Sequence, residues 1–224
     1  RLPYLALVVV MAVCFFAFKK QNIFSKDPKD KYEKIMMNIT ELLRELHFSP
    51  KNINDQFSEK VFTKYINDID PERNILLKTD VDSLSKLYKN YIDDEMYGAP
   101  LKSFKGVYSV FKKRSDESEK IKNELIKKPI DYTIKDSLIL DEDRNQFPQN
   151  NTERKDAWRK RIKYLSLDRY ADYIMRKNEG KSDSEIKGKS DAQLEQLART
   201  KADTLLNRYF NRNKVKFNED DNFD

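Results

Sequence analysis

The chain has 224 residues, of which 38% are hydrophobic, 12% aromatic and 37% charged, with 4 Gly and a single Cys and His. That much aromatic mass argues against disorder, so few glycines argue against a many-stranded sandwich or barrel, and one Cys and one His exclude a disulfide framework or a two-imidazole site. The formal net charge of +6 is the remainder of 44 basic and 38 acidic side chains interleaved along the same segments, whereas a nucleic-acid footprint gathers Lys and Arg on one face, so no nucleic-acid partner is expected.

The first element is an uncharged run from Leu2 to Phe18, bounded by Arg1 and by Lys19 and Lys20. As a helix it would extend roughly 25 Å, short of the roughly 30 Å hydrocarbon layer but within reach of it by thinning or lysine snorkelling. A cleaved signal would end in small residues of the Ala-x-Ala kind, and Ala12 with Cys14 is a poor match. Val13 likewise does not suit a lipoprotein signal ending at Cys14. Residues 1–20 therefore read as an uncleaved signal anchor, with a cleaved signal peptide as the alternative. Arg1 competes with the two lysines, which leaves orientation open. The polar stretch 21–30 is a juxtamembrane spacer.

From Lys31 the apolar spacing becomes helical. Ile35, Ile39, Leu42, Leu43 and Leu46 make one amphipathic stripe ending before Pro50, with His47 capping or packing at its end. A second helix runs from about Asn54 to Ile69, where Asp70-Pro71 stops it. Ile75, Leu76 and Leu77 return the chain to the core. Thr79 then reads as the N-cap of a third helix with Val81, Leu84, Leu87, Tyr88 and Tyr91 inside, closed by Gly98 and Pro100. A fourth helix from about Leu101 to Lys127 carries Phe104, Val107, Tyr108, Phe111, Ser118, Ile121 and Leu125, and its polar middle is expected to project into solvent. The stretch 130–151 reads as a long extended connection, with a short strand at 137–140. Its acids Asp141, Glu142 and Asp143 lack the spacing and glycine of a calcium loop. Asn151 or Thr152 caps a fifth helix with Trp158 as a core anchor, followed by Ile162, Leu165, Tyr170, Tyr173 and Ile174. After a polar break from Glu179 to Lys189, Ser190 and Gln193 form a capping box for a last helix with Leu194, Leu197, Ala198, Leu205, Leu206 and Tyr209 inside. The expected class is all-α: a membrane segment, then an irregular multi-helix bundle over 31–217 with one long extended connection. Residues 218–224 open what reads as a further element, and with no initial Met the chain reads as a fragment.

No nucleophile elbow, phosphate loop, His/Cys metal spacing or enclosed carboxylate pair occurs in the sequence. No catalytic, cofactor-binding or metal residue is therefore assigned, and no cofactor is expected.

The run FSEKVFTKYINDIDPERNILLKTDV, from Phe57 to Val81, resembles the amino-terminal helical domain of the tail-specific, or carboxy-terminal processing, proteases. The matching positions are Phe57, Ser58, Val61, Phe62, Tyr65, Asp70, Leu76, Leu77, Thr79, Asp80 and Val81. KKPIDYT at Lys127 to Thr133, then Leu140 and Asp141, then AWRKRIKY at Ala157 to Tyr164 follow in the family's order. The resemblance implies a parent bacterial envelope serine peptidase acting on carboxy-terminal regions of exported or membrane proteins. It further implies a PDZ domain and a Ser/Lys dyad after the helical domain, protein substrates, and docking of an adaptor lipoprotein. A dyad lysine has to be kept neutral by burial, and the lysines here read as lying on polar faces. The expected function is a non-catalytic scaffold region of a membrane-attached processing protease, anchored in the inner membrane with the helical domain in the periplasm, or soluble there after signal cleavage. The alternative is an independent membrane-anchored helical binding or adaptor protein.

Overall fold

The computed structural model of the chain describes residues 31–50, 52–141, 145–180 and 184–216, and among these it has seven α-helices and no strand. The expected all-α class holds for these residues. The apolar run 2–18, the spacer 21–30, acids 142–143 and the tail 218–224 lie outside them. No described helix is long and apolar enough to cross a membrane.

Helix α1, Lys31–Glu45, turns Met36, Thr40 and Leu43 toward the core, and the Thr40 hydroxyl lies 2.8 Å from the Met36 carbonyl and 2.9 Å from that of Met96. Of the stripe expected from the spacing, Leu43 packs against the core, but Ile39, Leu42 and Leu46 are 41%, 55% and 75% exposed. One residue turns a helix by about 100°, so an apolar set wider than the contact leaves a flank in solvent. His47 is exposed beyond the helix end, where its Nδ1 accepts the Ser49 N–H at 3.1 Å.

Helix α2, Asp55–Ile69, starts on Asn54, whose side chain accepts the Phe57 N–H at 3.1 Å, and buries Ser58, Phe62, Ile66 and Ile69. Helix α3, Lys78–Tyr88, is capped at Leu77 instead of Thr79, because the Asp80 carboxylate reaches back to the Leu77 N–H at 2.9 Å. The helix expected to reach Gly98 is interrupted after Tyr88 and resumes as the short α4, Ile92–Met96, while Leu87 faces solvent. Buried Glu95 of α4 accepts the N–H groups of Lys102 and Ser103 at 2.6 and 2.7 Å, satisfying the start of α5, Ser103–Leu125.

The middle of α5 does not project into solvent. Ser115, Ser118 and Lys122 are buried, since α5 packs against α3 and α6 and places Lys122 against Asp203 and Asn207 of α7. Helices α6, Asn151–Asn178, and α7, Asp191–Lys216, run antiparallel and form the most extensive helix pairing in the fold. Asn150, one residue before the expected cap, accepts the Glu153 N–H at 3.0 Å, and Glu153 accepts that of Gln149 at 2.8 Å. The expected box at α7 is present, with Gln193 Oε1 on the Ser190 N–H at 2.8 Å and Ser190 Oγ on the Gln193 N–H at 3.3 Å. Leu205, expected inside, is exposed.

One apolar core joins Phe62, Ile66, Ile75, Leu76, Phe111, Trp158, Leu206 and Phe210, with the Trp158 and Phe210 ring centres 5.3 Å apart. A second, smaller cluster of Tyr173, Ile186, Leu194 and Ala198 closes the far end of the α6–α7 hairpin. Between α5 and α6 the connection has no regular structure among the described residues. It is pinned where Tyr132 stacks on Tyr170 at 4.6 Å and hydrogen-bonds Ser166 at 3.0 Å. The strand expected at 137–140 does not form, because no neighbouring segment pairs with it.

Candidate functional site

The turn between α2 and α3 is organised from within by Asp70. Proline at position 71 ends α2, and the Asp70 carboxylate, fully buried, accepts the N–H groups of Asn74, Ile75 and Leu76 at 3.1, 3.1 and 2.8 Å. Burial pushes the carboxyl up to about 6; these three N–H groups pull the other way, and nearby Glu72 adds repulsion. Arg73 adopts a left-handed φ of 49°, rarely occupied by a side-chain-bearing residue. Its guanidinium is held by the Asn145 carbonyl and lies 5.2 Å over the Phe147 ring, so the conformation is fixed from outside the turn. Asn145 Nδ2 returns a bond to the Glu72 carbonyl at 2.7 Å, and the Lys78 N–H reaches the Pro148 carbonyl at 2.8 Å.

Against this turn lies a groove of about 530 Å³ between residues 71–74, the connection at 137–140 and 145–149, and the first turns of α6. Its wall carries both charge signs: Glu72, Glu153 and Asp156 with Arg73, Lys160 and Arg161. Arg161 pairs with Glu72, yet its Nε is buried without a hydrogen-bond partner, as is Oδ1 of Asn74, a residue only 4% exposed. Behind the turn, buried Arg154 donates to the Ile75 carbonyl at 3.0 Å and to Glu117 at 2.6 Å, and Glu117 is also held by Arg114, which forks onto Asp80. Desolvation alone would raise the Glu117 carboxyl, but the bonds from Arg154 and Arg114 outweigh it and hold it below the usual carboxylate range.

The expectation that lysines lie only on polar faces is corrected by Lys122 and Lys163, both buried. Neither is free to act as a base. Lys122 Nζ is 2.7 Å from Asp203 and 2.6 Å from Asn207, and Lys163 Nζ is 2.8 Å from Asp136 and bonded to the Ile134 carbonyl. Ser118 stands one helical turn before Lys122, with its buried Oγ unpartnered, but both residues are wholly enclosed and no peptide bond can approach them. A proton-accepting lysine needs to be neutral, and an adjacent carboxylate favours the ammonium. No group of three or more His, Cys, Asp or Glu that could hold a metal ion occurs among the described residues.

Sequence reasoning had singled out Asp70, Leu76, Leu77, Asp80 and Trp158, and the structure brings them to this one turn and its supports. It missed Asn74, Arg73, Arg154 and Arg161. The only signal available was Arg154 and Arg161 one heptad apart on the face that carries Trp158, a spacing that solvated arginines share.

The family model described as the tail specific protease N-terminal domain matches residues 39–214. The chain belongs to this family. A tail-specific protease of Haemophilus influenzae is 29% identical over 176 residues, covering 77% of this chain and 24% of that protein. The chain thus spans about a quarter of the length of the curated relative it matches. The Asp70 turn, the Trp158 anchor and all but the last two residues of the α6–α7 hairpin fall inside the matched residues.

Proposed function

We propose that this chain is the non-catalytic N-terminal scaffold region of a membrane-attached tail-specific serine protease. The family match over 39–214 carries the reading. The Ser118 and Lys122 geometry supports it, since this buried Ser/Lys pair is sealed and its lysine ion-paired. In this reading the bond-breaking residues and a substrate-binding PDZ domain belong to other parts of the parent, and the helical domain frames them and docks an adaptor lipoprotein. The uncharged run 2–18 anchors the parent in the inner membrane of a bacterial envelope, with the helical domain in the periplasm.

The test is to express the whole parent reading frame and the 224-residue chain side by side against a protein with an unstructured carboxy-terminal tail. Hydrolysis by the parent and none by the chain is the expected result, and hydrolysis by the purified chain would sink the reading. Alkaline carbonate extraction of bacterial membranes tests the anchor: the parent should stay in the pellet, and loss of residues 2–18 should release it.

A further inference from the structure

Residues 135–141 run straight, without helix, turn or bend, and 137–140 line the groove. Among the described residues, the backbone N–H and C=O groups of Ser137, Leu138, Ile139 and Leu140 make no hydrogen bond. Ser137, Ile139 and Leu140 are exposed. Such an unpaired run is a template for another extended chain, as at the free edge of a sheet. The same groove is lined by Asn74 and Arg161, which hold a buried acceptor and a buried donor without partners, Asn74 Oδ1 and Arg161 Nε. Buried polar groups are normally paired, and each of these asks for an opposite partner. A peptide backbone supplies both, one N–H and one C=O per residue.

We propose that this groove binds an extended segment of a protein substrate, laid alongside residues 137–140, an inference that rests on the assignment of the chain to a protease. Four residues of strand span roughly 13 Å. The wall favours a variable substrate over one fixed partner. It mixes Glu72, Glu153 and Asp156 with Arg73, Lys160 and Arg161, and Ile139 and Leu140 line it while about half exposed. Recognition through the main chain with shallow side-chain contacts tolerates many sequences.

The experiment uses the 224-residue chain in detergent micelles and a fluorescein-labelled, end-blocked Val-Thr-Val-Thr-Val-Thr-Val peptide, followed by anisotropy. Saturable binding is expected, weakened at least tenfold when alternate peptide nitrogens are methylated. Ile139→Pro, which removes one N–H from an exposed position, should weaken it as much, whereas Ile139→Ala should not. Matching thermal unfolding of the three chains confirms that each is folded. Equal binding of the methylated peptide, equal binding by Ile139→Pro, or no binding at millimolar peptide overturns the inference. Binding by the chain but not by the full parent would show the groove filled by the parent itself and overturn the substrate assignment. In a parent that hydrolyses protein, an unchanged KM in Ile139→Pro overturns the groove and leaves the protease reading standing. A parent without hydrolysis overturns the protease reading, while the anisotropy still decides whether the groove takes extended peptide.

Discussion

Trp158 donates its indole N–H to the Asn74 carbonyl at 2.9 Å, tying the first half of α6 to the turn that Asp70 organises. The ring is 1% exposed and packs on Phe210, so Trp158→Ala should cost about 3–5 kcal/mol of stability in urea unfolding. Trp158→Phe keeps most of the packing but strands the Asn74 carbonyl, at about 1–3 kcal/mol. An unchanged urea midpoint for the Ala variant would place the ring outside the core.

Asp70 sets a pH dependence with a definite sign. Its carboxyl is raised to about 6 by burial, so between the ordinary carboxylate range and pH 6 the folded chain holds a proton that the unfolded chain has lost. Its contribution is complete below pH about 4 and declines as pH climbs through 6, by roughly 3 kcal/mol. Asp70→Asn removes that slope, so the stability difference between the native chain and the variant should shrink from pH 4 to pH 7. A difference that grows over this interval would mean the carboxylate is stabilised in its charged form. Glu117 and Asp136 act in the opposite sense: both carboxyls are lowered, and their contribution is lost as pH falls below the ordinary carboxylate range.

The Lys122 pair should respond unequally to loss of either partner. Lys122 is fully enclosed, whereas the Asp203 side chain is 31% exposed and keeps contact with water when left alone. Asp203→Ala leaves a buried ammonium with the neutral Asn207 amide but no counter-charge and should cost about 3–5 kcal/mol, while Lys122→Met fills the space with an apolar chain and should cost clearly less. Equal losses in chemical denaturation would contradict this asymmetry.

Gly106 meets Tyr88 so closely that a Cβ added there would lie 2.5 Å from the phenol oxygen and 2.6 Å from a ring carbon. Gly106→Ala should therefore destabilise by about 1–3 kcal/mol even though alanine favours helix. Combined with Tyr88→Ala, the same change should become stabilising by up to about 1 kcal/mol, the propensity term alone. Additive behaviour in that double-mutant cycle would mean that the α3–α5 approach is looser than described.

Where the deciding partner lies within a few residues, the sequence is readable. Pro71, the Ser190 and Gln193 box, and the burial of Leu76 and Trp158 all follow from local chemistry. The errors fall where the deciding partner lies far along the chain. Lys122 looked solvated because nothing near it in sequence shows that Asp203 and Asn207 arrive from α7. Leu42, Leu46, Leu87 and Leu205 looked buried because an apolar stripe can be wider than the surface that covers it. The groove was invisible for a similar reason: its two walls are separated by more than sixty residues, and its recognition features are backbone groups that residue types do not encode.

The two apolar clusters of the α6–α7 hairpin share a pair of long rods but little else. Tyr173, Ile186, Leu194 and Ala198 form a patch detached from the main core, near the left-handed glycines Gly180 and Gly188. Amide deuteration should accordingly proceed in two tiers, with the hairpin tip exchanging through partial opening and the Trp158 end only through complete unfolding.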